Sequence, residues 1–400
     1  MGPDATARGT SPGVMRVAMD ARALIGGGGG LRRYTAELMR GLLALDVDLS
    51  AWIAGWHLGE LQAELEDELG RQSLNLPVAL AKAPGKVLYT HLGWPLLSYW
   101  QRLLPFPLKL PDNIDLFHAI HWPIPVRRRP PTVLTIHDLI GLTNPEWVPP
   151  FVTALHRAIA DLAPLAAQVI VDSEATRAEV LKQSRVEPER ITVVPLGVRS
   201  ETFSREVGAG ELAEIKARYQ VTRPYFLAIS SIEPRKNLTT LLKAYDLLCE
   251  RGFDGWDLHL IGSRVGHTPD FEAALASPRR GVVRVSAQVP DTDMIGLLQG
   301  ADAFVFISRA EGFGLPVLEA FAAGCPAIAA DATSLPEVAG EAALLVDPLD
   351  PQAVADAMLR LATEPALAEQ LRDRGRARVQ EFTWERTARE TLEVYRKALA

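Results

Sequence analysis

Residues 303–319 read AFVFISRAEGFGLPVLE, and the organisation of the whole chain can be worked out from this stretch. Ala303–Ile307 is an unbroken apolar run, the pattern of a strand buried on both faces. Gly312 and Gly314 then suit a tight loop where a ligand must approach the backbone. Pro316 suits the first position of a helix, where its missing N–H costs nothing, and Leu315 to about Ala323 reads as that helix. A helix start offers unpaired N–H groups and a partial positive charge, a natural seat for a diphosphate. Glu311 lies in the loop and Glu319 about one turn into the helix, so two carboxylates face one ligand from different sides. A carboxylate accepts hydrogen bonds from two hydroxyls, which suits sugars: one Glu for a ribose, the other for a second sugar. Either Glu alone is explained as well by helix charge or by a solvated face. The nine-residue arrangement on strand, loop and helix points to a ligand.

The same unit recurs along the chain. Arg16–Met19, Val133–Ile136, Val169–Val171 and Ile191–Val194 read as strands in the first half, and Tyr225–Ile229, Leu258–Ile261 and Val282–Val285 in the second. Helical periodicity covers Asn237–Arg251, Asp291–Gln299 and Pro351–Thr363. Alternating strands and helices predict an α/β fold with parallel sheets covered on both faces and ligands beyond the carboxyl ends of the strands. We expect a loose tail over 1–14, a first domain over 15–198, a linker over 199–222 and a second domain over 223–383. The last helix, 384–400, is expected to pack back onto the first domain.

Composition narrows the function classes. The 400 residues carry 42 Lys and Arg against 49 Asp and Glu, a net charge of −7, which disfavours a general nucleic-acid binder. With 48% hydrophobic residues there is enough apolar material for two cores. Two cysteines, Cys249 and Cys325, exclude a disulfide scaffold or a Cys-based zinc cluster and suit a reducing compartment. The apolar run Leu315–Ala330 carries Glu319 and is short for a membrane span.

Three further motifs carry chemistry. Ile232–Asn237 (IEPRKN) follows a strand, so Arg235 and Lys236 sit at its carboxyl end, where a guanidinium fork and an ammonium can offset the charge of a departing diphosphate. His137, in Thr135–Leu139 (TIHDL), is placed to donate a hydrogen bond to a sugar hydroxyl, a structural His being the equal alternative. Gly26–Gly30, before Leu31-Arg32-Arg33-Tyr34, is a weak phosphate-loop signal with a flexible linker as its alternative. Arg127–Arg129 and Tyr99–Leu110 mix basic, aromatic and apolar residues that suit a membrane face or a core-covering loop. No metal clamp is evident: Asp291-Thr292-Asp293 stands at a helix start, where capping explains it.

Together these residues resemble a retaining glycosyltransferase of family 4, with the two-domain GT-B fold of two Rossmann-like domains facing a central cleft. EGFGLPVLE at 311–319 matches that family's E-x7-E signature, and IEPRKN resembles its phosphate loop. TSLPEVAGEAALLVDP at 333–348 and FTWERTARETLEVY at 382–395 are similar to stretches common in it. The resemblance implies a nucleotide-sugar donor on the second domain and a saccharide or lipid-linked acceptor on the first. It implies that Glu311 contacts donor-sugar hydroxyls and Glu319 the ribose. Arg235 and Lys236 hold the diphosphate with the backbone at Gly314 and Leu315, His137 lines the sugar side, Val289 lies near the base, and Gly30, Arg33 and Tyr34 shape the acceptor side. Ser230 stands where many members have Arg, and Arg32 where they have a second glycine.

The variant motifs are similar to those of bacterial mannosyltransferases of surface-polysaccharide assembly. GDP-mannose is therefore the first expected donor, with other nucleoside-diphosphate hexoses behind it and no obligatory cofactor or metal. A cytoplasmic protein is expected, with possible peripheral contact at the inner membrane. Two other readings stay open: a sugar-nucleotide epimerase on the same scaffold, and a non-catalytic nucleotide-sugar binder.

Overall fold

The computed structural model describes residues 14–24, 29–45, 47–54, 87–90, 113–121, 130–265, 268–279, 281–287 and 289–400. Nearly all of the 1–14 tail, Gly26–Gly28, Tyr99–Leu110 and Arg127–Arg129 lie outside them.

The strands are β1 (Arg16–Asp20), β2 (Asp48–Ala54), β3 (Val87–Thr90), β4 (Leu116–Ile120), β5 (Thr132–Ile136), β6 (Gln168–Val171), β7 (Ile191–Val193), β8 (Tyr225–Ile229), β9 (Asp257–Ile261), β10 (Val283–Ser286), β11 (Ala303–Phe306), β12 (Ala327–Ala330) and β13 (Ala343–Val346). They form one seven-stranded sheet, β3-β2-β1-β4-β5-β6-β7, and one six-stranded sheet, β10-β9-β8-β11-β12-β13. Every pairing is parallel. Each sheet is a doubly wound Rossmann-like unit whose strand order reverses once, between β1 and β4 and between β8 and β11. A crevice opens at such a reversal because the flanking connections leave in opposite directions. The phosphate-loop motif follows β8 and the glutamate loop follows β11, so both stand at the same reversal.

The apolar run Leu315–Ala330 divides in two. Its first part is the Leu315–Ala322 helix and its second is β12. Gly324, at φ +72°, makes the turn between them. Among the described residues no helix is long and apolar enough to cross a membrane.

The polar stretch after β7 holds two helices, Ser200–Phe203 and Ala209–Arg218. The second packs on the six-stranded half. A Cβ at Gly296 would meet Ile215 Cδ1 at 2.6 Å, and Tyr219 Oη donates to Asp293 at 2.9 Å. Asp293 also pairs with Arg218. The Asp291–Gln299 helix is preceded by Pro290 with no side-chain cap, so Asp293 serves as an anchor for the linker helix rather than as a cap.

The Trp384–Leu399 helix returns to the seven-stranded half. Thr383 Oγ1 accepts from Arg386 N at 3.2 Å and starts it. Its buried face includes Trp384, Ala388, Leu392 and Tyr395. Tyr395 Oη lies 2.6 Å from His118 Nδ1 on β4, and His118 Nε2 lies 2.8 Å from Thr135 Oγ1 on β5. Burial drives His118 down to about 3, so this chain is neutral at pH 7. Two chain crossings run side by side where the halves join: Val198 N donates to Phe382 O at 3.0 Å and Thr387 Oγ1 to Pro195 O at 2.8 Å. A Cβ at Gly197 would sit 2.3 Å from Trp384 N, so only glycine lets the crossings touch. Gly197→Ala is expected to lower stability by about 1–3 kcal/mol through this overpacking. An unchanged thermal unfolding midpoint would show that the crossings are not in contact.

Candidate active site

The site is assembled from loops at the carboxyl ends of β8 and β11. After β8, Pro234–Lys236 makes a tight turn that ends at Asn237, a left-handed residue with φ +60°. The buried Asn237 amide donates to Ile307 O at 3.2 Å and Pro348 O at 2.6 Å, tying this turn to the end of β11. Arg309 N donates to Arg235 O at 2.8 Å, a second tie between the two loops. From the far side, Thr333 Oγ1 accepts from Glu311 N at 3.0 Å, and Ser334 Oγ donates to Glu311 O and Phe313 O at 3.0 and 2.7 Å. Thr333 is held at φ +50°. Non-glycine residues in this region cost energy and persist where surroundings over-determine them.

This scaffold brings Glu311 against both cations. Arg235 Nη1 lies 3.0 Å from Glu311 Oε2, and Lys236 Nζ lies 2.5 Å from Oε1. Arg235 also reaches Glu233 at 2.9 Å, and the Lys236 ammonium stands 5.1 Å over the Phe306 ring. Burial alone would raise the Glu311 carboxyl, but Lys236 and Arg235 outweigh it and hold the group below its ordinary value. Burial pushes the Lys236 ammonium down, with Arg235 adding to that and Glu311 opposing it. On Arg235 burial acts downward too, but Glu311, Glu233 and Asp138 raise it on balance.

The first domain closes directly onto this loop. Ser173 Oγ and Thr176 Oγ1 donate to Gly312 O at 2.7 and 3.2 Å. A Cβ on Gly312 would lie 2.0 Å from His137 O. The glycine expected to admit a ligand therefore admits the backbone of the opposite domain. Gly314, at φ +118°, opens the next helix, and a Cβ there would meet Leu335 at 2.5 Å. Leu315 is the first residue of that helix and Pro316 the second, one place later than expected. Glu337 accepts from Glu174 N and Ala175 N, both at 2.9 Å, capping the first turn of the Glu174–Gln183 helix from across the gap. The Arg309 guanidinium stacks 4.3 Å over Trp147.

His137 sits at this seam. Its Nδ1 is 2.5 Å from Asp172 Oδ2, and its Nε2 is buried with no hydrogen-bond partner. The ring meets Tyr34 edge-on at 4.5 Å. Tyr34 is 1% exposed and its Oη lies 3.0 Å from Thr135 Oγ1, so it supports the His137 ring from within the core and does not line an open acceptor face. Arg33 pairs with Glu319, the expected ribose ligand, across the domain seam. Gly30 is exposed with nothing near a Cβ position, and Val289 is half-buried against the core just before the Asp291–Gln299 helix.

His121, Asp138 and His156 form the metal-sized cluster found among the described residues. His121 Nδ1 accepts from His137 N at 3.2 Å and His156 Nδ1 from Gly141 N at 3.0 Å. Each neutral ring then carries its proton on Nε2 and has no lone pair left for a metal. Burial drives His121 down to about 3, so it is neutral at pH 7.

Sequence reasoning missed Asp172, Ser173, Thr176, Thr333, Ser334 and Glu337. Asp172 and Ser173 directly follow β6, and carboxyl ends of strands face the crevice, so the reasoning that found His137 applied to them too.

Residues 213–378 match the family model described as glycosyl transferases group 1, and residues 28–202 match that of glycosyltransferase family 4. The O-antigen chain mannosyltransferase B of Escherichia coli is 30% identical over 377 residues, covering 92% of this chain and 96% of that protein. The chain belongs to the group 1 glycosyltransferases. The MMP alpha-(1->4)-mannosyltransferase of Mycolicibacterium hassiacum is 31% identical over 239 residues, 58% of this glycosyltransferase and 54% of that protein. The structure of Anabaena HepE in complex with UDP and glucose superposes with a TM-score of 0.68 at 17% identity, covering 96% of this chain and 99% of that one. At that identity the likeness shows the shared two-domain fold.

Glu311→Gln would leave the buried Lys236 without its carboxylate and the half-buried Arg235 with Glu233 alone, and is expected to cost about 3 kcal/mol at pH 7. The native carboxyl lies below its ordinary value, so its contribution is complete above about pH 4.3 and is lost as pH falls through the folded value. Thermal melts of the two proteins should therefore converge as acidification protonates the native carboxyl, below the ordinary carboxyl range. A gap of constant size across that range would contradict the ion pair.

Proposed function

We propose that this glycosyltransferase moves a hexosyl group, mannose first, from a nucleoside diphosphate to a hydroxyl of a saccharide or lipid-linked saccharide, with retained anomeric configuration. GDP-mannose is the proposed donor. The names of the Escherichia coli and Mycolicibacterium hassiacum relatives support mannose. The observation that carries the reading is the Glu311–Arg235–Lys236 cluster, set at the strand reversal and covered by the opposite domain.

Transfer must stabilise a growing charge on the departing diphosphate and a positive sugar ring. Lys236 is buried and Arg235 half-buried, so their field at the phosphate is only partly screened, and such fixed groups are the largest single source of rate enhancement in many enzymes. The Gly314–Leu315 helix opening adds backbone N–H groups. When the diphosphate takes the two cations, Glu311 is freed to accept from sugar hydroxyls. Glu319 exchanges Arg33 for the ribose in the same way. The closed seam excludes water, which would otherwise compete with the acceptor. The leaving phosphate takes the acceptor proton on the front face. No metal is assigned to the reaction, the two cations taking that part, and no covalent nucleophile is assigned.

Glu311→Ala is expected to abolish transfer while nucleotide binding stays mostly intact, and near-wild-type turnover would remove the role given to Glu311. Lys236→Ala should lower the rate by about 10²–10³. For the donor, thermal-shift titration with UDP, GDP and ADP is expected to show the largest stabilisation with GDP. A larger shift with UDP would overturn the GDP-mannose assignment.

A further inference from the structure

We infer that Asp172 is the positioning residue that makes His137 a hydrogen-bond acceptor toward a hydroxyl of the transferred sugar. The inference rests on the hexosyl-transfer reading and deepens it, because it specifies the chemistry that the His137 position recognises.

Asp172 stands immediately after β6, 2% exposed, with Oδ2 2.5 Å from His137 Nδ1. The His137 backbone is fixed on both sides. Its N–H donates to His121 Nδ1 at 3.2 Å, and its carbonyl accepts from Thr176 Oγ1 at 3.2 Å. Tyr34 packs against the ring edge-on. The ring therefore has one orientation, and only the proton position is left to settle.

A neutral imidazole carries one N–H and one lone pair. An ionised carboxylate can only accept, so it holds the proton on Nδ1 and leaves the lone pair on Nε2. A carboxyl ordinarily gives up its proton about two pH units below an imidazole, which favours this arrangement. Burial raises the Asp172 carboxyl, and the His137 ring opposes that rise. Nε2 is buried without a partner at the seam where Gly312 meets His137. A buried unpaired acceptor is costly unless a ligand satisfies it. The group that satisfies Nε2 must donate, and on a hexose the donors are hydroxyls. His137 thus accepts from the sugar, the reverse of the donation expected from the sequence.

Asp172→Asn tests this directly. The Asn amide donates to Nδ1, which moves the ring proton to Nε2 and turns an acceptor into a donor. Donors with a single hydroxyl replaced by fluorine are assayed at each ring position with the wild-type and variant full-length enzymes. Fluorine cannot donate, so at one position the wild type should lose about 10- to 100-fold in kcat/KM, the cost of an unsatisfied buried acceptor. In Asp172→Asn the loss at that position should shrink to within about threefold, while losses at other positions stay as in the wild type. Asp172→Glu, which keeps the carboxylate, should retain the wild-type pattern. A variant that keeps the full penalty, or loses activity equally with every analogue, overturns the inference. The tautomer of wild-type His137 is read independently by ¹⁵N-histidine NMR, assigned with His137→Gln. A proton on Nδ1 and a bare Nε2 are expected, and a protonated Nε2 overturns the inference even if the Asn variant does not fold. Failure of the wild type to transfer from any nucleotide sugar overturns the functional reading and this inference together. Transfer with an unaltered analogue pattern in Asp172→Asn overturns the inference alone.

Discussion

The site depends on one constraint: a carboxylate, a guanidinium and an ammonium share a small buried volume at the end of β8 and β11. Each charge is costly to desolvate, and the cluster is stable only because Glu311 sits between Arg235 and Lys236. The neighbouring features follow from holding that carboxylate in place. Asn237 accepts a left-handed backbone to tie the cation turn to β11, and Thr333 and Ser334 fix the glutamate loop from the other side. A site held this tightly is ready for an anion. On the proposed function, a diphosphate would replace one carboxylate without requiring the cations to move far or to be desolvated again.

Closure is a property of the same loop. The Gly312 carbonyl is shared by Ser173 and Thr176, and Glu337 caps the helix that those residues begin. Arg33 of the first domain lies on Glu319 of the second. The two halves are therefore joined at the chemistry itself and at the paired chain crossings around Gly197 and Trp384.

Much of this was legible in the sequence because buried parallel strands are continuous apolar runs. β8 and β11, and the loops that follow them, could be read directly, as could the Asp291–Gln299 and Pro351–Thr363 helices. β12 (AIAA) was hidden because it continues an apolar helix with only Gly324 to mark the turn. β4 (LFHAI) has its apolar run broken at the centre by His118, whose partner Tyr395 is remote in sequence, so no continuous apolar run marks it. The pairing of Arg33 with Glu319, and of Gly312 with the backbone of His137, depends on how two domains meet, which no local pattern encodes. The family resemblance implies an acceptor contact for Tyr34, yet helical phase turns it into the core.

The most direct measurement is a crystal structure of the full chain with a nucleoside diphosphate bound. The expected result places the terminal phosphate within hydrogen-bond distance of Arg235, Lys236 and the Leu315 amide, with Glu311 released from at least one of its cations. A diphosphate bound elsewhere, with the Glu311–Lys236 pair intact, would contradict the account.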